Sequence, residues 1–275
     1  MTMEKFHCGS LDWSVYAKGV GMPLVFLHAF PLDHTMYSLA CLPLEDAYRV
    51  ILPDLPGFGE ARFLGACVPE RVTMSEYADG LALLLDELGE EKVVLCGVSM
   101  GGYIAMQFFR RHAQRLAGLI FCDTRSTPDL PTAAKNRLIL ADTIHEHGSA
   151  SLCDRMVPNL LSPETTTEQP DVVDFLREMI SRQDPNGIAA AARGMAARDD
   201  STEYLKDILV PTLVLGGVED MISPPEAMRE LASRIPGSEF SVIPSAGHLP
   251  PLESPVLFAS TVRAFVDKAY DKPSV

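Results

Sequence analysis

The chain has 275 residues, 47% of them hydrophobic and 22% charged, which suits one large soluble domain with room for an insertion. Its formal net charge of −14 disfavours nucleic acid as a partner, because phosphate contacts need clustered Lys and Arg. No apolar run approaches the roughly 18 residues of a membrane helix, and Glu4, His7 and Asp12 interrupt any signal-peptide core, so cytoplasm is the expected compartment.

Residues 4–17 read as one or two short strands. Residues 23–28 are a continuous apolar run, the pattern of a strand buried on both faces, and 48–53 are similar apart from Arg49. Thr73 and Glu76 have capping-box spacing, and Tyr77, Leu81, Leu84, Leu85 and Leu88 then share one helical face up to Gly89. Residues 92–96 form a strand that runs into Gly97-Val98-Ser99-Met100-Gly101, and a helix follows from Tyr103. A further strand covers 116–122 and ends at Asp123.

From 128 to 207 no strand is evident. Helix-like segments appear near 132–147, 149–157, 171–183 and 187–198, with Pro158, Pro163, Pro170 and Pro185 as breakers. This predicts a helical cap of about 80 residues inserted in a core formed by 1–127 and 208–275. Strands at 211–217 and 239–243 complete the core. Ser223 reads as the N-cap of a helix after the first of these, with Glu226 three residues on. The C-terminal helix puts Phe258, Val262, Phe265 and Val266 on one face. Strands alternating with helices predict an α/β class with a mostly parallel sheet covered on both sides.

Strand, Gly-x-Ser-x-Gly, helix is the arrangement that lifts a serine hydroxyl out of a sheet on a tight turn. Glycine at 97 and 101 has a steric reason, since a Cβ there would collide with the neighbouring strand or helix. The same turn leaves the Met100 N–H at a helix start, where it can donate to an oxyanion. An acid and a histidine follow on loops after later strands: Asp220 after 211–217, and His248 after 239–243. Asp123 ends a strand at the same rim and is a rival acid. Glu219 is a weaker rival.

With these residues the chain resembles the α/β-hydrolase fold from about Pro23 to Phe265. Leu27-His28-Ala29-Phe30-Pro31 is similar to that family's oxyanion loop, which implies Phe30 N–H as second donor; Ala29 departs from the usual glycine. Asp54 to Gly59 matches a structural turn of the family, and His28 is implied to pack the oxyanion loop. Asp184-Pro185-Asn186-Gly187 and Gly247-His248-Leu249-Pro250-Pro251-Leu252-Glu253 resemble the carboxylesterase and 3-oxoadipate enol-lactonase branch.

The implied catalytic set is Ser99 as nucleophile, His248 as base and Asp220 as its orienting acid, acting on a small-molecule ester or lactone with no cofactor and no metal. Dehalogenases and epoxide hydrolases of the fold carry Asp at the elbow, and hydroxynitrile lyases carry Lys after the histidine. Ser99 and Leu249 set these aside. A carbon–carbon bond hydrolase, a haloperoxidase-like perhydrolase and a slow-turnover small-molecule receptor are the alternatives. Arg125 sits where a guanidinium can hold a substrate carboxylate, or pair instead with Asp123 or a cap acid.

His34 reads as a solvated loop residue. His145 and His147, two apart on a helix, do not share a face for a metal. The six cysteines, Cys8, Cys41, Cys67, Cys96, Cys122 and Cys153, are at least 26 residues apart, which excludes a metal knuckle or a CxxC redox pair.

Overall fold

The computed structural model describes residues 2–8, 11–63 and 68–270; Cys67 lies outside them. An antiparallel hairpin, β1 (Glu4–Cys8) and β2 (Leu11–Lys18), opens the chain. The buried strands β3 (Pro23–Leu27) and β4 (Arg49–Asp54) follow, then the two-residue β5 (Arg62–Phe63) against β2. Helix α1 (Met74–Glu87) opens with the reciprocal Thr73–Glu76 capping box that the sequence spacing predicts. β6 (Val93–Val98), α2 (Met100–His112) and β7 (Leu116–Cys122) come next.

Five helices then separate β7 from the next strand: α3 (Pro131–His147), α4 (Cys153–Leu160), α5 (Pro163–Glu168), α6 (Pro170–Ser181) and α7 (Pro185–Ala196). Pro163, Pro170 and Pro185 start helices at the first position, where a missing N–H costs nothing. Pro158 does not act as a breaker; it sits inside α4. The chain closes with β8 (Thr212–Gly217), α8 (Pro225–Ser233), β9 (Glu239–Ile243), the short α9 (Pro250–Glu253) and α10 (Pro255–Tyr270).

The strands form one sheet in the order β1-β2-β4-β3-β6-β7-β8-β9. Every pair from β4 to β9 is parallel, and only the β1, β2 and β5 pairings are antiparallel. The order reverses at β3, because β4 lies on one side of it and β6 on the other. In an open α/β sheet that switch point splays the loops leaving the two strands and opens a crevice at their carboxyl ends. Here those loops are the ones after Leu27 and Val98. Phe258 of α10 meets Phe26 of β3 and Tyr37 below this point, each pair of ring centroids between 5.3 and 6.4 Å apart.

The insertion approaches the core through glycines. A Cβ on Gly187 would fall 1.7 Å from the Gly57 carbonyl oxygen, and one on Gly194 would fall 1.8 Å from that of Val72. Glycine at both places lets α7 lie against core backbone. Polar ties complete the docking. Arg182 forks onto Asp33 at 2.9 Å, and the Gln183 side chain accepts from Gly59 N–H and donates to Asp33.

Candidate active site

The sheet register brings the sequence-predicted residues to one rim. Leu27 pairs with Gly97, Val98 with Cys122, and Cys122 with Leu215, so the chain leaves β3, β6, β7 and β8 at similar height. Ser99 takes φ 53° and ψ −111°, a conformation L-residues rarely adopt. Such a backbone stores about 1–3 kcal/mol and persists only where its surroundings over-determine it. Here Ser99 N–H donates to the Cys122 carbonyl at 2.9 Å, and the Ser99 carbonyl accepts from the Thr124 hydroxyl at 2.8 Å. The glycines of the turn are needed: a Cβ on Gly97 would lie 2.3 Å from Gly101, and one on Gly101 would lie 2.3 Å from the Leu27 oxygen.

Met100 N–H opens α2 and Phe30 N–H lies on the loop after β3; among the described residues neither has a hydrogen-bond partner. His28, fully buried, holds the Phe30 loop. Its Nε2 accepts from Leu55 N–H at 3.0 Å, which places the ring proton on Nδ1, 3.0 Å from the Ala29 carbonyl. Burial, the largest influence, pushes the His28 imidazole below its usual range, in keeping with that neutral ring.

Asp220 meets His248. Its Oδ2 lies 2.8 Å from His248 Nδ1, and its Oδ1 accepts from Ile222 N–H at 2.7 Å. Both side chains are buried. Burial alone would raise the Asp220 carboxyl; the His248 ring and the N–H groups of Ser223 and Ile222 outweigh it and hold the group below the usual carboxylate range. Glu219 makes no hydrogen bond to His248. Ser99 is half-buried and is not hydrogen-bonded to His248.

Asp123 lies beside this pair. One polar atom each of Asp123, Asp220 and His248 falls within 4.8 Å of the others. Its Oδ1 accepts from Gly217 N–H at 2.9 Å, and the Cys122 thiol lies 3.1 Å from Oδ2. Arg125 pairs neither with Asp123 nor with an acid of the insertion. Its guanidinium donates to the Ile222 carbonyl, next to the Asp220 loop.

Two expectations need correction. Ser223 is not the N-cap of α8: the helix begins at Pro225 behind Pro224, and the Ser223 N–H is used on Asp220 instead. His34 is not solvated: it is buried, with its backbone N–H and Nδ1 both on Asp54 Oδ1, at 2.9 and 2.7 Å. Asp33, His34 and Asp54 thereby form a second cluster of metal-type donors, but their atoms are engaged with each other, Arg182, Gln183 and Glu60 N–H.

Glu253 carries a part that sequence reading missed. It is 4% exposed and has three N–H groups on its carboxyl. Oε1 accepts from Gly247 and Leu249, on either side of His248, at 2.9 and 3.1 Å, and Oε2 accepts from Ser162 of the insertion at 2.7 Å. His248 N–H itself donates to Leu160 of α4 at 3.0 Å. The available signal was an acid between the Pro250-Pro251 pair and Pro255, five residues after the histidine.

The model of the alpha/beta hydrolase fold family matches residues 22–255. A thermophilic esterase from Thermogutta terrifontis, solved with malate bound, is 42% identical; the match covers 98% of this chain and 99% of that one, with a TM-score of 0.93. The enol-lactonase from Burkholderia xenovorans LB400 shares the fold at 24% identity, over 96% of this chain and 99% of that one, with a TM-score of 0.87. The 3-oxoadipate enol-lactonase 1 of Acinetobacter baylyi is 25% identical over 243 residues, 88% of each chain.

Proposed function

This chain belongs to the alpha/beta hydrolase fold family, and we propose that it is a serine hydrolase that cleaves a small-molecule carboxylic ester or lactone through an acyl-enzyme. The observation that carries the reading is the buried Asp220–His248 pair, which shares a rim with the strained Ser99 turn and the two unpartnered N–H groups of Phe30 and Met100. The 42% identity to an esterase over nearly the whole chain supports it.

In this reading Ser99 Oγ attacks the ester carbonyl and His248 Nε2 takes its proton. Asp220 holds the ring so that Nδ1 carries the other proton, and stabilises the imidazolium. The oxyanion forms against Phe30 and Met100 N–H, donors already fixed by the His28 lock and by the start of α2. Collapse of the tetrahedral intermediate expels the alkoxide, which His248 protonates. Water, deprotonated by the same nitrogen, then releases the acid and restores Ser99. For a lactone the alkoxide stays attached to the acyl group, and one hydroxy acid leaves. The insertion of 128–207 acts as a cap that shapes the acyl pocket and excludes water. Arg125 braces the Asp220 loop through Ile222.

The test is a fluorophosphonate probe read by intact mass, together with turnover of p-nitrophenyl esters of increasing chain length and of lactones. One adduct on the wild type, none on Ser99→Ala, and a fall in kcat of about 10³ to 10⁶ in that variant are expected. Near wild-type turnover by Ser99→Ala would end the assignment. A labelled protein that turns over none of these substrates would favour the receptor.

A further inference from the structure

Asp123 is not needed to orient His248, since Asp220 does so, yet it is fully buried against the pair. It follows the last residue of β7 at φ 45°, a left-handed backbone conformation that Asp tolerates better than most residues. Its N–H pairs with the Leu215 carbonyl at 3.1 Å, so the residue is held at both backbone and side chain. The titratable groups facing it are the Cys122 thiol, Asp220 and His248, and no Lys or Arg among the described residues pairs with it.

One carboxyl oxygen each of Asp123 and Asp220 lies within 4.8 Å of the other, both side chains buried. Two buried carboxyls this close, with no Lys or Arg paired to either among the described residues, do not both ionise, so one keeps its proton. Asp220 has two acceptor duties that suit an anion, toward His248 Nδ1–H and Ile222 N–H. Asp123 has a single N–H donor, Gly217, beside the weakly donating Cys122 thiol, whereas Asp220 faces the His248 ring and two N–H groups, so the proton belongs to Asp123. Burial, and after it the neighbouring Asp220 charge, push the Asp123 carboxyl well above the usual carboxylate range, in agreement with that placement.

We propose that Asp123 stays protonated at neutral pH and donates its O–H to the Asp220 carboxylate, as a positioning residue for the acid that orients His248. The proposal rests on the triad reading above. Its chemical sense is one of balance. A second anion here would have no cation to face except the transient imidazolium. A neutral donor instead fixes the Asp220 carboxylate and spreads part of its charge. That limits how tightly Asp220 holds the imidazolium, which must release its proton to the leaving alkoxide.

Asp123→Asn is the discriminating substitution, because an amide reproduces a protonated carboxyl: its oxygen accepts from Gly217 N–H and its NH₂ donates to Asp220. It should keep kcat within about threefold, with the acid limb of kcat/KM unmoved. If Asp123 is instead ionised, the substitution removes a negative charge beside the imidazole and the limb drops by about one pH unit or more. That drop would overturn the proposal. Asp123→Val removes the donor without the charge, and should raise the limb by about half a unit and lower kcat roughly tenfold. An unmoved limb and kcat in a folded Asp123→Val protein would leave Asp123 a merely structural residue.

Infrared difference spectroscopy tests protonation without reference to turnover. The C=O stretch of a protonated carboxyl at pH 7 should be present in the wild type and lost in Asp123→Asn. No such band in the difference overturns the proposal even if the protein is an active esterase. The band can equally stand if every ester and lactone fails, so the two readings fail separately.

Discussion

Replacing Glu253 by Gln keeps the shape of the side chain and removes one of its two good acceptors. With the amide oxygen toward Gly247 and Leu249, the NH₂ faces Ser162 N–H, donor against donor. One hydrogen bond to a charged group is lost, at about 1.5–3 kcal/mol, and a buried donor is left unpaired at about 1–3 kcal/mol. Partial relaxation brings the expected loss to roughly 2–4 kcal/mol, or about 4–16 °C in Tm for a chain near this size. The two surviving bonds flank His248, so the imidazole shifts with the loop. A displacement approaching 1 Å costs up to about 10² in rate. Calorimetry and p-nitrophenyl acetate kinetics well below Tm are the assays. Glu253→Gln should show the lower Tm and a kcat reduced by about 10- to 100-fold with KM little changed. A variant with wild-type Tm and kcat would refute the clamp. A lower Tm with unchanged kcat would confine Glu253 to holding the insertion.

Three other outcomes are expected. Gly187→Ala places a Cβ 1.7 Å from the Gly57 oxygen, so α7 must back away; a Tm well below wild type is expected, and an unchanged Tm would mean that the contact yields freely. Burial would raise the Asp33 carboxyl, but the Thr35 hydroxyl, Arg182 and Gln183 hold it below its usual range, so its stabilisation is complete above the unfolded value of about 3.9 and is lost as pH falls through the lower folded value. The Tm gap between wild type and Asp33→Asn should therefore be widest near neutral pH and close below about pH 4, and a gap constant down to pH 2 would contradict this. Arg125→Ala should change KM equally for a carboxylate-bearing ester and a matched neutral one, whereas a rise for the acidic ester alone would give Arg125 to the substrate.

Reading the sequence worked where a constraint is local. Gly97 and Gly101 announce the elbow because their missing side chains have short-range causes, and the Thr73–Glu76 box is legible because its partners are three residues apart. The fold class followed from strands whose burial on both faces leaves them continuously apolar. Ser223 was misread because its spacing to Glu226 suits a cap, while the competing demand on its N–H comes from Asp220, which aims back along its own loop. His34 looked solvated because Asp54, its partner, is 20 residues away. Glu253 stayed hidden for the same reason on a larger scale: Ser162 is 91 residues before it, and nothing local marks a carboxyl that three N–H groups will share.

The three groups read as a triad differ in what supports them. Ser99 and Asp220 hang on core elements alone, through Cys122, Thr124 and the Ile222–Ser223 turn. His248 does not: its own N–H ends on Leu160, and the Glu253 clamp around it is shared with Ser162. The insertion is anchored a second time, by Arg182, Gln183 and Gly187 against Asp33, Gly59 and Gly57. A rigid lift of the whole insertion would therefore break the histidine's support at one end and, at the other, strip the buried Asp33 carboxyl of its hydrogen bonds from the partly exposed Arg182 and from Gln183. Access to Ser99 must then come from rearrangement of helices or side chains between these two anchors. Under the proposed function, the residues that shape the acyl pocket and those that hold the base upright consequently belong to the same inserted segment. Substitutions in 160–162 are expected to alter kcat where substitutions elsewhere in the insertion alter KM.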